Sequence, residues 1–172
     1  DVGEAEPCCA ALAALAEALP DVAALQERLT ATVDAEGNIR DDASPRLQEL
    51  RQRTADLHAR LREQVGEYLH DTETLEVLQD DYYTMRGDRY VLPVKAAFQG
   101  RIPGIVHGSS NTGQTVYIEP EPLIRTNNQL KLCEREVEQE LFLIRKDLSA
   151  RVGRRSAALV DAEVALLRLD SI

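Results

Sequence analysis

The sequence predicts a mainly α-helical protein that carries a small antiparallel β-sheet. Three observations lead there. Hydrophobic residues make up 44% of the 172 positions, yet aromatics only 4%, and there is no Trp. Ala and Leu together supply 44 residues; both are strong helix formers, whereas sheet-rich cores lean on β-branched and aromatic side chains. The apolar period is close to 3.5 over two long stretches and switches to 2 between them. This composition excludes an all-β sandwich, and 29% charged beside 44% apolar residues excludes wholesale disorder.

The elements follow in order. Cys8 to Leu19 is almost entirely Ala and Leu and stops at Pro20, which predicts a buried helix. Asp21 is placed to cap a second short helix, Val22 to about Leu29, by accepting from first-turn N–H groups. Asp34 to Asp42 is polar and turn-rich around Gly37-Asn38. Residues 1–43 therefore read as part of a helical core and a connector. Ser44-Pro45 then opens a long helix, with Ser as cap and Pro at the first helical position. Leu47, Leu50, Thr54, Leu57, Leu61 and Gln64/Val65 follow at three- and four-residue steps toward Tyr68, forming a heptad seam. A helix reaching about Leu78 would be roughly 50 Å long at 1.5 Å per residue.

Between the long helices, Tyr82–Arg86 and Arg89–Lys95 alternate like strands around Gly87-Asp88, a two-residue hairpin signal. Ile102–His107 and Gln114–Glu119 form a second pair around a Gly-Ser-Ser-Asn-Thr-Gly loop. Pro93 cannot donate to a ladder, which predicts an edge strand or a bulge there. After Pro122, Leu123, Leu130, Val137, Leu141, Ile144 and Leu148 form a second seam. It slips at Val152 and resumes through Leu159, Val164 and Leu167. The expected architecture is a long antiparallel coiled-coil lever, residues 44–80 and 121–172, carrying a β clamp, residues 81–120.

Several functions are excluded by the residues. No apolar run approaches the roughly 20 residues of a membrane-spanning helix, and the acidic start lacks a signal peptide's basic region. The only Met is Met85, so the chain reads as an internal piece of a longer protein. Cys8, Cys9 and Cys133 form no CxxC pair and read as small apolar residues of a reducing compartment. His58, His70 and His107 lack metal-ligand spacing. Gly108 to Thr115 imitates a phosphate-binding loop, but Gln114 stands where the Lys is needed and a strand follows where a helix N-terminus is needed. No catalytic or metal constellation is expected in these residues.

Charge is distributed unevenly. Residues 84–131 hold six basic side chains against three acidic ones, a net of +3, so the rest of a chain of net charge −10 carries −13. A basic tip meets a polyanion where an acidic stalk would repel it. Arg86, Arg89, Lys95 and Arg101 are the candidate phosphate contacts, with His107, Ser109, Ser110 and Asn111 as loop adjuncts. The alternative is a structural coiled-coil module for dimerisation or partner-protein binding. A shared basic face favours the clamp, and an exposed apolar face favours the module.

The strings Gly87-Asp88-Arg89-Tyr90-Val91-Leu92-Pro93-Val94-Lys95, Gly104-Ile105-Val106-His107, Gly113-Gln114-Thr115-Val116-Tyr117-Ile118-Glu119-Pro120 and Asn127-Asn128-Gln129-Leu130 occur in this order. Together they resemble the second bacterial branch of the MutS family. Asp34–Gly37 and Asp41–Leu47 resemble its core-to-lever junction, so the likeness spans about residues 34–150. It implies a dimeric, cytoplasmic, nucleoid- or ribosome-associated protein with a C-terminal ATPase using ATP and Mg, and an endonuclease domain. It also implies action on branched DNA to suppress homologous recombination, and on ribosomal RNA in collided ribosomes. None of the ATPase or nuclease motifs lies in these residues. The chain departs from the family after His107, where Gly108 stands in place of an acidic residue.

Overall fold

The computed structural model describes residues 19–170 and is mainly helical with one four-stranded antiparallel sheet. The predicted Ala/Leu helix with Cys8 and Cys9 lies outside the described residues. Two compact units are present, one within Asp1–Ser44 and Leu141–Ile172, the other Pro45–Glu140. No helix among the described residues is long and apolar enough to cross a membrane.

In the first unit, helix α1 spans Ala23–Thr32. Asp21 Oδ1 accepts from Ala23 N at 3.0 Å, the role expected of it, although Val22 occupies the cap position itself. The connector closes on itself: Asp34 Oδ1 accepts from Asn38 N at 2.7 Å and from Glu36 N at 3.1 Å, while Gly37 takes φ 87°. The buried residues of this unit include Thr32, Ala43, Ile144, Leu148 and Ala165. Val152, Val164 and Leu167 are exposed, whereas Ala158, Leu159 and Ala162 are half-buried. The seam expected to resume at Val164 and Leu167 is thus displaced. The inward positions keep a seven-residue register instead: Ile144, Ala158 and Ala165 are spaced by multiples of seven, as are Leu148 and Ala162, so small Ala residues hold the seam where larger ones were expected.

In the second unit, helix α2 spans Pro45–His70 and buries Leu47, Leu50, Leu57, Leu61 and Val65, with Thr54 and Tyr68 half-buried. It ends eight residues short of the expected Leu78. Asp71 adopts an extended conformation (φ −84°, ψ 118°) and caps a new helix, α3 (Thr72–Val77), accepting from Thr74 N at 2.9 Å. An Asp side chain offers the backbone this local acceptor, so it starts a helix better than it continues one.

Strands β1 (Thr84–Arg86), β2 (Arg89–Lys95), β3 (Gly104–Ser109) and β4 (Thr115–Pro120) form the sheet in the order β1-β2-β4-β3, with a 3₁₀ helix at Ala96–Arg101. The predicted hairpin is present: Gly87 and Asp88 have φ 55° and 61°, both left-handed, which matches strand twist. Pro93 lies on an interior strand and pairs with Tyr117. Its backbone faces outward past the end of β1, where its carbonyl accepts from Gln79 N at 2.8 Å. The missing N–H therefore costs no ladder bond, and Pro93 is an edge residue only locally. Helix α4 begins at Glu121 and runs to Asp170. Within the second unit it contributes Leu123, Leu130 and Cys133 to a core shared with Leu50, Leu57, Leu61 and Val65 of α2. Tyr90, Leu92, Val94, Val116 and Ile118 of the sheet complete that core. Arg46 pairs with Glu136 at 2.5 Å and Thr54 Oγ1 donates to Cys133 Sγ at 3.3 Å across the helix pair.

Gly104 marks a close approach. A Cβ there would lie 2.1 Å from Glu119 O and 2.9 Å from Ile118 Cγ2. Gly104→Ala is expected to destabilise by about 1–3 kcal/mol, as overpacking does; Gly100, with open space around it, is the control, read by urea unfolding of both variants. A second expectation concerns pH. The Asp71 carboxyl is held below its ordinary 3.8, first by the Thr74 hydroxyl and then by the Thr74 N–H. A lowered carboxyl stabilises fully above that ordinary value and loses its contribution as pH falls through the lowered one. Asp71→Asn keeps the cap acceptor and should flatten this acid-side loss of Tm.

Candidate nucleic-acid interface

Register and strand alternation assign the two faces of the sheet. Tyr90, Leu92, Val94, Val116 and Ile118 point into the core. Arg86, Arg89, Val91, Pro93 and Lys95 share the opposite face with Ile105, His107, Thr115, Tyr117 and Glu119. On β3, His107 and Gly108 together oppose Tyr117, because the register slips by one residue between Val106 and Ser109. Gly108 sits in this bulge with φ 113°, a conformation only Gly adopts readily. The bulge leaves His107 aimed along the face.

Glu119 is the centre of the arrangement. Its side chain is 0% exposed, and a buried carboxylate needs partners for every lone pair it keeps from water. Arg89 Nη1 donates to Oε1 at 2.7 Å, Asn127 Nδ2 donates to the same oxygen at 2.9 Å, and His107 Nε2 meets Oε2 at 2.6 Å. Arg89 Nη2 donates in turn to Asn128 Oδ1 at 2.7 Å. Asn127 does a second job. Pro120 ends β4 without an N–H, and beyond it the Asn127 amide faces the strand: Tyr90 N donates to Oδ1 at 3.0 Å and Nδ2 donates to Tyr90 O at 3.2 Å. A side-chain amide therefore adds one rung to the ladder. Beneath it, Tyr90 stacks on Tyr83 at 5.1 Å and its hydroxyl meets His58 Nδ1 at 2.9 Å; burial is the first cause of its raised pKa.

The eight residues singled out from sequence occupy different situations. Arg86 is exposed and lays its guanidinium over the Tyr117 ring, 3.9 Å from the centroid. A guanidinium stacked on a ring uses its face, so its in-plane N–H donors are not spent on that contact. Arg101, Ser109 and Asn111 are exposed. Arg89 has 20% of its side chain exposed and its charge is met by Glu119; His107 shares that carboxylate. Lys95 Nζ donates to Glu76 O at 2.9 Å. Ser110 is structural in its loop, accepting from Thr115 N through Oγ at 3.2 Å. Tyr117, Glu119, Asn127 and Asn128 were not among the sequence candidates. One signal was available for Asn127: it stands between Leu123 and Leu130 at seam spacing, where a buried polar residue needs a reason. Apolar side chains are exposed as well, Met85 at 45%, Phe98 at 40%, Ile105 at 47% and Val106 at 51%.

Sequence comparison places this geometry in a family. A protein named endonuclease MutS2 from Carboxydothermus hydrogenoformans is 42% identical over 118 residues, 69% of this chain and 15% of that protein. This is a segment of the MutS2 family. The endonuclease MutS2 of Solidesulfovibrio magneticus is 38% identical over 146 residues (81% of this chain, 19% of the relative), and that of Geobacillus thermodenitrificans 36% over 161 residues (94% and 20%). The chain thus spans 15–20% of the length of these MutS2 relatives. No family model matches the sequence.

The network around Glu119 makes a stability prediction. Arg89→Ala leaves a fully buried carboxylate short of its charged partner and should cost about 3 kcal/mol. Arg89→Met with Glu119→Leu removes both charges and should recover most of that loss. Chemical denaturation of the two variants beside the unaltered chain measures it; a double variant no more stable than Arg89→Ala would mean that the pair is not coupled.

Proposed function

We propose that this MutS2 segment meets nucleic acid through the Arg86–Tyr117 face of its sheet. Residues 81–120 act as a clamp; residues 44–80 and 121–172 serve as its coiled-coil lever, and 1–43 as core and connector. The observation that carries the reading is the exposed guanidinium stacked on Tyr117 beside the Arg89–Glu119–His107 network: its in-plane donors are not spent on the ring that supports it, which suits phosphate and unpaired bases. In this reading the segment has no catalytic role of its own. The longer protein is a dimeric, cytoplasmic ATPase and endonuclease using ATP and Mg, acting on branched DNA to suppress recombination and on ribosomal RNA in collided ribosomes.

A second reading rests on the exposed Met85, Phe98, Ile105 and Val106: an apolar rim of this kind suits a partner protein. Titration of the chain with duplex, four-way-junction and structured RNA ligands at two salt concentrations separates the two. Neutralising Arg86 and Arg101 should lower the slope of log K against log[salt] by roughly 0.9 for each duplex phosphate that is no longer neutralised. Neutralising Arg53 and Arg60 on α2 is the control. Equal weakening by both pairs would move the binding surface off the sheet, and no binding even at low salt would favour the partner-protein reading.

A further inference from the structure

The densest positive charge of the chain lies outside the sheet. Residues 145–155 read Arg-Lys-Asp-Leu-Ser-Ala-Arg-Val-Gly-Arg-Arg, five basic side chains against one acid in a chain of net charge −10. On a helix, Arg154 and Arg155 stand three and four residues beyond Arg151 and so share its face. In the first unit, Arg151, Arg154 and Arg155 line one side of a groove of about 180 Å³, and Ala24 and Leu25 of α1 line the other. Arg28 stands one turn further along the same face of α1, and its Nε is shielded from solvent with no acceptor. Two guanidiniums are partly engaged: Arg151 Nε donates to Asp147 Oδ2 at 2.7 Å, and Arg155 Nη1 donates to Asp21 O at 3.0 Å. The Asp147 carboxylate faces the cluster, and its pKa is lowered by Arg151 first, then by Arg28 and Arg154. Three guanidiniums, those of Arg151, Arg28 and Arg154, thus act on one carboxylate.

We propose that this groove binds a phosphate group, carried by a nucleic-acid backbone or by the tail of a nucleotide. Each guanidinium presents several donors in a planar fork that matches phosphate oxygens two at a time. Ala24 and the half-buried Leu25 give the groove an apolar wall facing the arginines, and a guanidinium–phosphate bond gains strength where apolar surface lowers the local dielectric. Arg154 brings its fork to the groove beside them, and Arg151 and Arg155 keep free donors beside the bonds they make. None of these residues belongs to the unit that holds the sheet, so the inference stands apart from the clamp reading.

Isothermal titration of the 172-residue chain with inorganic pyrophosphate at low salt tests it. Binding is expected, and Arg154→Gln should weaken it about tenfold or more, the worth of a charge-assisted bond. Lys146→Gln, on the same helix but outside the groove, should leave it nearly unchanged. Amide NMR shifts at Ala24 and Leu25 of the unaltered chain should move on titration, a readout that does not depend on any variant folding. Displacement of pyrophosphate by a short DNA duplex assigns the phosphate to a backbone; displacement only by a nucleoside triphosphate assigns it to a nucleotide; either supports the site. No binding by the unaltered chain, equal weakening by Lys146→Gln, or unmoved Ala24 and Leu25 amides would overturn it. DNA binding abolished by Arg86 and Arg101 substitutions while pyrophosphate binding persists would leave this inference intact.

Discussion

Burial of the Glu119 carboxylate is the constraint on which the sheet's outer face depends. A charge withdrawn from water costs several kcal/mol unless its lone pairs are met, and Glu119 meets that demand by drawing one donor from each neighbouring element. Arg89 comes from β2, His107 from the bulge of β3, and Asn127 from the second turn of α4. Glu119 stands just before Pro120, where strand becomes helix, and through Asn127 the same carboxylate that orders the face ties the end of β4 to the start of α4. Asn127 strengthens this corner by completing the Tyr90 ladder that Pro120 cannot complete. Gly104 completes it from the other side, because only a residue without Cβ lets β3 approach Glu119 O so closely.

Local signals made much of the fold legible. Pro45 marks the start of α2, Gly87-Asp88 the hairpin, and the apolar spacing from Leu50 to Val65 the buried face; each is a property of a few consecutive residues. The errors arise where one side chain's choice of partner decides, locally at Asp71 and through tertiary context at Pro93. Asp71 looks like one more polar residue on a helix until its side chain turns back to Thr74 N. Pro93 reads as an edge residue, and the sheet keeps it inside only because β1 is too short to reach it. The seam beyond Leu148 was misplaced because small residues, Ala158, Ala162 and Ala165, hold its inward positions while the larger Val164 and Leu167 stand exposed.

The candidate site was legible as charge and illegible as partnership. Counting cations selects Arg86 and Arg89 equally, yet one stacks on an exposed ring and the other neutralises a buried acid. Nothing in the hairpin string distinguishes them, since Arg89's partners lie 30 and 39 residues away in sequence. The same count, taken over residues 84–131, assigns the remainder of the chain to an acidic stalk and hides the run of arginines from Arg145 to Arg155 within it. Averaging over a long helix removes the clusters that carry local fields, which act over about a Debye length, roughly 10 Å at moderate salt.

This division of labour between arginines sets what the proposed face does. With Arg89, His107 and Lys95 engaged internally, few unengaged cations remain on the sheet, so its attraction for a polyanion is modest by Coulomb's law in water. What those engaged side chains supply instead is fixed direction. Arg86 is held against Tyr117 rather than swinging on its four-bond stem, so less side-chain entropy is given up when its donors meet a ligand. A surface with few but oriented donors discriminates ligands by the placement of phosphates and bases rather than by their number. Junctions and folded RNA differ from plain duplex in that placement, which is the physical link between the stacked arginine and the branched ligands proposed for this segment.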